Sequence, residues 1–316
     1  MKPDLSELSV TILSYNRCDE LLQTFVPLCH AAQYEGFELI IVDNASSDGS
    51  LEIIKHALNG FPFVKFVSNP SNLGVGRGRN AGWSISTRSF ILNLDDDTRV
   101  EVQDLLDLVH SIKRFPSAGV VFPQVRDVRT GKQLAPFGPN AASPGNFLGG
   151  CHIVRRSAVQ EVGLLDDECS FGGEELDYSI RMRAHGWDVV FDPDCTVPHN
   201  GLPRQPREDK WRRREWNRNF IRVHFKHFPW RVASVFAFRF SVSQLLSGVR
   251  AHGLSFIPGL LRSSLVGAKQ GWAIRHVVKP EVVQFYRRYG TRPDVGNVPL
   301  SFKLWTLLSE PYNRRR

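Results

Sequence analysis

Residues 90–98 read Phe-Ile-Leu-Asn-Leu-Asp-Asp-Asp-Thr. Four apolar positions broken by one Asn have the length and composition of a strand covered on both faces. Three aspartates follow where that strand must end. Adjacent carboxylates repel, and each raises its neighbour's pKa unless a cation or hydrogen-bond donors compensate. A positive partner is therefore expected beside residues 95–97. An acidic turn capping the next helix is the plainer alternative, since Asp favours both positions.

Working outward, the same alternation recurs. Strand patterns fall at 9–13, 38–42, 64–67, 90–94 and 119–122, and helix patterns between them at 19–32, 51–58, 78–86 and 102–115. Repeated strand-helix units predict an α/β fold, a mostly parallel sheet with helices on both faces. Ligands of such sheets bind at the carboxyl ends of the strands. Ser14-Tyr15-Asn16, Asp43-Asn44 and Asp95-Asp96-Asp97 all follow strands and so converge on one rim. Past residue 125 the alternation weakens. The Pro/Gly-rich segment 135–150 reads as a long loop covering a site, and a helix at 174–185 and a strand at 189–192 close the α/β part near His199.

Charge divides the chain. Residues 1–200 hold 17 Lys+Arg against 26 Asp+Glu, whereas 201–316 hold 23 against 6. This predicts a catalytic domain over 1–200, a linker near 200–208, and a basic helical region over 201–316 that meets an acidic partner. Arg214, Arg218, Arg222 and Lys226 recur every four residues beside Trp216, Phe220 and Val223, a pattern that suits the headgroup layer of an anionic membrane or, equally, a helix packed on the catalytic domain. The apolar region 232–249 is interrupted by Arg239 and by serines, short of the ~18–20 clean residues a span needs. Five cysteines with no C-x-x-C pair give neither a zinc ribbon nor a disulfide framework. With an N-terminus that lacks a basic-then-apolar leader, a cytoplasmic protein is expected, peripheral on the inner face of the membrane if the basic stripe meets lipid.

Individual residues carry candidate chemistry. Strand alternation would turn Asp95 and Asp97 to one side, where two carboxylates suit Mg²⁺ or Mn²⁺ bound to a diphosphate. Residues 72–80, Asn-Leu-Gly-Val-Gly-Arg-Gly-Arg-Asn, miss the dinucleotide fingerprint but allow a close backbone approach and an arginine contact to phosphate, for which Arg77 is the candidate. In residues 174–187 Leu176, Ile180 and Ala184 mark the packed face of a helix, leaving Glu175 in the first turn as a general base near Glu174 and Asp177. His199 could ligate a metal, although most loop histidines are merely solvated.

Together, VTILSYNR (10–17), IIVDNASSDGS (40–50), NLGVGRGRNAG (72–82), LNLDDDT (92–98), GGCHIVRRSAVQEVGLLD (149–166) and FGGEELDYSIRMRAHGW (171–187) resemble, in order, the family-2 nucleotide-diphospho-sugar glycosyltransferases of GT-A fold. The resemblance spans about residues 9–200. It implies a Rossmann-like sheet, an inverting transfer from a nucleotide-diphospho-sugar to a glycan or lipid-linked acceptor, and dependence on Mn²⁺ or Mg²⁺. Tyr15 and Asp43 would hold base and ribose, with Asp95 and Asp96 on the donor side; Asp97 and His199 would hold the metal. Glu175 would be the catalytic base, and Gly149, Gly150 and Glu174 would lie on the acceptor side. Two positions depart from the family: Glu175 stands where Asp is usual, and Leu13 where a polar residue is frequent. A nucleotidyltransferase and a nucleic-acid-binding protein led by the basic tail are the rival readings; the acidic rim would repel nucleic acid, which is not an expected partner.

Overall fold

The computed structural model describes residues 4–128, 131, 142–200 and 206–293. Most of the expected linker and part of the covering loop lie outside the described residues. In chain order the elements are β1 (Leu8–Ser14), α1 (Cys18–Glu35), β2 (Glu38–Asp43), α2 (Ser50–Leu58), β3 (Lys65–Ser68), α3 (Gly74–Ile85), β4 (Phe90–Asp95), α4 (Val102–Arg114) and β5 (Ala118–Asp127). Then come β6 (Cys151–Arg155), α5 (Arg156–Val162), α6 (Glu174–Ala184), β7 (Asp188–His199), α7 (Pro206–His227), α8 (Trp230–His252), α9 (Ile257–Ala273) and α10 (Pro280–Tyr289).

The strands form one seven-stranded sheet in the order β3-β2-β1-β4-β6-β5-β7. Only β6 runs against its neighbours β4 and β5. Residues 90–94 are buried on both faces, as the opening stretch requires. The polar Asn93 within it is accommodated because its Oδ1 accepts from Trp83 Nε1 at 2.7 Å and Thr11 Oγ1 at 3.0 Å. On one side Leu105, Leu108, Val109 and Ile112 of α4 seal the sheet.

Two elements escape the sequence pattern. Strand β6 is five residues between a glycine pair and a double arginine, too short to show a period. Strand β7 runs on to His199 through Pro193 and Pro198, which would break a central strand; β7 is an edge strand, where proline's missing N–H costs no ladder bond. Its extension matters, since it carries His199 to the rim of β4: Asn200 N donates to Asp97 O at 2.9 Å.

Arg222 and Lys226 of the α7 stripe face inward, which is the packed-helix arrangement of the two readings. Arg222 pairs with Asp166 at 3.0 Å, and Lys226 reaches both Asp166 and Asp177 at 2.7 Å. Asp177, fully buried in the first turn of α6, also binds Arg181 and His227 at 2.7 Å each. Between these pairs Phe220, Val223 and Phe228 share a core with Leu176 and Ile180. The excess of positive charge on α7 thus neutralises acids of the α/β part, and removing both from water makes the pairing obligatory.

Burial alone would raise Asp177, but Arg181, His227 and Lys226 hold it well below its ordinary 3.8; Lys226 and Arg222 likewise hold Asp166 low against burial and the Asp177 charge. Carboxylates with depressed pKa add stability that is present above the unfolded value and lost as pH falls. Melting temperature should accordingly fall as pH drops below about 4. Asp177→Ala, which removes the partner of Arg181, Lys226 and His227, should lower unfolding free energy by about 3–5 kcal/mol in urea titrations; a loss under about 1 kcal/mol would show the network to be dispensable.

Candidate active site

At the carboxyl rim the strand alternation stops at Asp95. Asp96 and Asp97 form a turn closed by Thr98 N donating to Asp95 O at 3.0 Å. Asp96 and Asp97 therefore share one arginine while Asp95 faces another, instead of alternating. Asp95 accepts from Arg79 Nη2 at 3.0 Å. Asp96 accepts from Ser14 Oγ at 3.0 Å and Arg17 Nη1 at 3.1 Å. Asp97 accepts from the same Arg17 Nη1 at 2.8 Å, and its Oδ1 lies 3.2 Å from His199 Nε2. The cap of α4 is supplied elsewhere, by Glu101 with Asp104. The aspartates are not a capping turn.

Two arginines answer the expected positive charge, and neither is Arg77. Arg77 is half exposed and lies 3.9 Å from Asp167, apart from the rim acids. Arg79, two residues on and almost wholly buried, sits 3.0 Å from Asp95, 3.5 Å from Glu174 and 3.7 Å from Glu175. A two-residue step turns a helix by ~200°, so only one of this pair can face the sheet. The glycines of residues 74–82 serve packing: a Cβ at Gly74 or Gly76 would lie 2.7 Å from backbone of Ser170 or Asp166, and at Gly78 2.7 Å from Leu13. The expected close backbone approach is thus to the protein's own chain.

Gly149 and Gly150 hold open the space between the acids. A Cβ on Gly149 would overlap Glu175 Oε1 and lie 2.8 Å from Arg79 Nη1, and one on Gly150 would lie 3.2 Å from Asp95 Oδ2. Both glycines line, with Asp95, Thr98 and His199, a cavity of ≈ 290 Å³. Nearby, Asp43 is buried and accepts from Ser46 N at 3.3 and 3.2 Å. Tyr15 is exposed at the tip of β1. The two loops are stitched by Asn16 at φ 53°, whose N–H donates to Ser46 Oγ at 2.9 Å and whose Oδ1 accepts from Ser47 N at 2.7 Å. Asn44 is scaffold: its amide joins Asn69, Asn72 and Leu73.

Electrostatics set the protonation. Burial, opposed by Arg17, pushes Asp96 up to about 7. Burial would raise Asp97 also, but His199 and Arg17 keep it below its ordinary value, and Asp97 in turn raises His199. Burial and then the charge of Glu175 push Glu174 well above the carboxylate range, despite Arg79.

Four buried polar atoms here have no hydrogen-bond partner: Arg79 Nη1, Asp97 Oδ1, Glu174 Oε2 and His199 Nδ1. Native interiors leave few such atoms, so their clustering marks a place where a ligand supplies the partners. Asp97 Oδ1 and His199 Nε2 stand side by side without hydrogen-bond alignment, as two donors to one cation would. Among the described residues no three His, Cys, Asp or Glu side chains converge as a closed metal site. A hard divalent cation completed by a diphosphate needs only one or two protein carboxylates, so the residues present fit Mg²⁺ or Mn²⁺ held jointly with a ligand.

A mostly parallel sheet with acids, two guanidiniums and a cavity at the carboxyl ends of its strands places the candidate site where ligands of α/β proteins bind. Residues 90–278 match the Glycosyl transferase family group 2, and residues 9–163 match Glycosyl transferase family 2. The chain belongs to the family-2 glycosyltransferases. Among curated relatives, it is 24% identical over 212 residues to the poly-β-1,6-N-acetyl-D-glucosamine synthase of Staphylococcus aureus, covering 61% of this chain and 50% of that protein. It is 24% identical over 225 residues to the N-acetylglucosaminyl-diphospho-decaprenol L-rhamnosyltransferase of Mycobacterium tuberculosis, covering 57% and 71%. The chain spans about half the length of the first of these relatives. Structurally it is similar to TarS 1–349 of S. aureus, with TM-score 0.57, 15% identity and coverage of 90% and 88%. The mannosyltransferase PcManGT of Pyrobaculum calidifontis, solved with GDP-Man and Mn²⁺, gives TM-score 0.55, 12% identity and coverage of 90% and 88%. These likenesses establish the GT-A fold.

Sequence reasoning placed Ser14 on the rim but gave no role to Arg17 or Arg79. The aspartate triplet itself was the available sign, because it demanded cations and only two arginines lie within the rim motifs ahead of it besides Arg77. Gly149→Ala should displace the Glu175 carboxylate and cut sugar transfer by roughly 10²-fold or more, with a melting temperature near that of wild type. Full activity in that variant would show that the glycine is not making room for the acid.

Proposed function

We propose that the chain transfers a sugar from a nucleotide-diphospho-sugar to a hydroxyl of a glycan or lipid-linked acceptor, with inversion at the anomeric carbon. The observation that carries this reading is the gathering of Asp95, Asp97, Arg79, Glu174, Glu175 and His199 at one rim, where Arg79 Nη1, Asp97 Oδ1, Glu174 Oε2 and His199 Nδ1 make no hydrogen bond and Asp95 and His199 line the cavity. Donor base and ribose lie against Tyr15 and Asp43, and the diphosphate lies by Asp95, Asp97 and His199. Arg79 holds Asp95 and the glutamates in register; Arg17 fixes the Asp96–Asp97 turn. Asp97 and His199 would hold a divalent cation, whose charge when bound would neutralise the departing nucleoside diphosphate.

Glu175, open to the cavity across Gly149, accepts the proton of the acceptor hydroxyl as that oxygen forms its bond to the anomeric carbon. The bond from that carbon to the diphosphate oxygen breaks on the opposite side, and the electron pair leaves with the nucleoside diphosphate. Glu174, almost fully buried against Arg79, is the less accessible of the two glutamates. The named activities of the relatives, a poly-β-1,6-N-acetyl-D-glucosamine synthase and an L-rhamnosyltransferase on N-acetylglucosaminyl-diphospho-decaprenol, support a glycan or lipid-linked acceptor.

A nucleotidyltransferase would release pyrophosphate instead of nucleoside diphosphate. The nucleic-acid reading weakens because Arg222 and Lys226 of the basic stripe are bound inside the protein.

General-base assistance contributes on the order of 10²–10⁴ in rate. Glu175→Gln should therefore lose transfer by that factor while nucleotide binding persists; wild-type turnover would remove Glu175 from the role. Asp97→Asn should weaken Mn²⁺-dependent binding of the nucleoside diphosphate by about 10- to 100-fold in calorimetry. Equal affinities with and without Mn²⁺ in wild type would sink the metal assignment. Donor hydrolysis across UDP-, GDP- and dTDP-sugars identifies the nucleotide.

A further inference from the structure

Helix α9 is packed inside out. Its small residues Gly259, Ser263, Gly267 and Gly271 recur every four positions and face α7, where a Cβ on Gly267 or Gly271 would overlap the carbonyl of Arg218 or Arg222. Asn217 of α7 adds two hydrogen bonds of 2.9 Å to Ser263 and Ser264. The large residues point the other way. Leu265 is 73% exposed, Leu261 59% and Trp272 55%, with Leu254 at 74% in the turn before the helix. A helix in water buries its leucines and exposes its small and polar residues. Small residues at the helix contact with large apolar ones outward is the arrangement of helices whose outer side meets lipid.

Charge says which surface is met. Residues 216–280 contain no Asp or Glu. Exposed Arg262 and Lys269 flank the leucines on α9, and Arg231 and Arg250 are exposed on α8. With cations and Gln270 sharing the outer surface, α9 suits the interface plane and not the hydrocarbon core. Helix α8 is long and apolar enough to span by length and composition, yet a third of its most apolar stretch is buried, and Ala233, Phe236 and Ala237 pack into the protein.

We infer that the face of α9 bearing Leu261, Leu265 and Trp272 docks the protein on an anionic lipid surface. This differs from the α7 stripe, whose cations are used internally. Helix α7 then acts as a strut: its one side lies against α9, and the other holds the start of α6, where Asn219 Nδ2 donates to Phe171 O at 3.0 Å. The catalytic helix is so held in fixed relation to the docked face. The inference rests on the proposed function only for what the membrane is used for; docking itself needs no transfer chemistry.

Flotation of the full chain with vesicles tests it. Wild type should rise with phosphatidylcholine–phosphatidylglycerol vesicles and much less with phosphatidylcholine alone. Leu265→Glu should reduce the floated fraction by roughly tenfold, with an unchanged circular dichroism spectrum. Tyr34→Glu, at an exposed aromatic of α1, should float as wild type does, and so should Glu175→Gln. Wild type remaining unbound to both vesicles would overturn the inference, as would Leu265→Glu floating normally. A solution dimer that Leu265→Glu dissociates, without vesicle binding by the wild type, would give the face to a second copy instead.

Discussion

Negative charge crowded at the end of a buried strand is the constraint around which this protein is organised. Asp95, Asp96 and Asp97 meet Glu174 and Glu175 across a glycine pair, and among the described residues Arg17 and Arg79 are the fixed cations paired with them. Burial raises the pKa of Glu174 and, to about 7, that of Asp96, which eases part of the repulsion. What remains is an acidic pocket with unpaired polar atoms, a state that favours any cation able to bring its own oxygen ligands. The proposed donor complex, a metal diphosphate, meets that need without net introduction of negative charge.

The same economy of charge explains the second half of the chain. A stripe of arginine and lysine on α7 looks like a surface for acidic partners until Asp166 and Asp177 are seen opposite it. Those pairs bind α7 to the loop before α6 and to Asp177 in the first turn of α6, two residues from Glu175. Catalytic geometry is thereby coupled to the packing of the C-terminal helices, which in turn leave the apolar face of α9 outward.

Much of this was legible in the sequence, and the exceptions have physical causes. Five parallel-type strands were readable because each is a short apolar run with Gly, Asp or Asn at its end. Strand β6 was not: its five residues pair antiparallel between two others, and nothing local distinguishes Cys-His-Ile-Val-Arg from a loop. The length of β7 was hidden by prolines tolerated only because the strand is at the edge. At the site, the positions of Asp95, Asp97, Glu175 and His199 at one rim followed from strand ends and family motifs, whereas the choice of Arg79 over Arg77 depended on which side of α3 faces the sheet. The roles of the cations on α7 required knowing what lay across from them, which no pattern within one helix reveals.

The central claim is that Asp97 and His199, neighbours at 3.2 Å without hydrogen-bond alignment, are two arms of a cation site shared with a diphosphate. Anomalous diffraction from crystals grown with Mn²⁺ and the nucleoside diphosphate tests it most directly. The account predicts a manganese peak within about 2.3 Å of both Asp97 Oδ1 and His199 Nε2, bridged to diphosphate oxygens. A nucleotide bound in the cavity with no peak between those two atoms would contradict it.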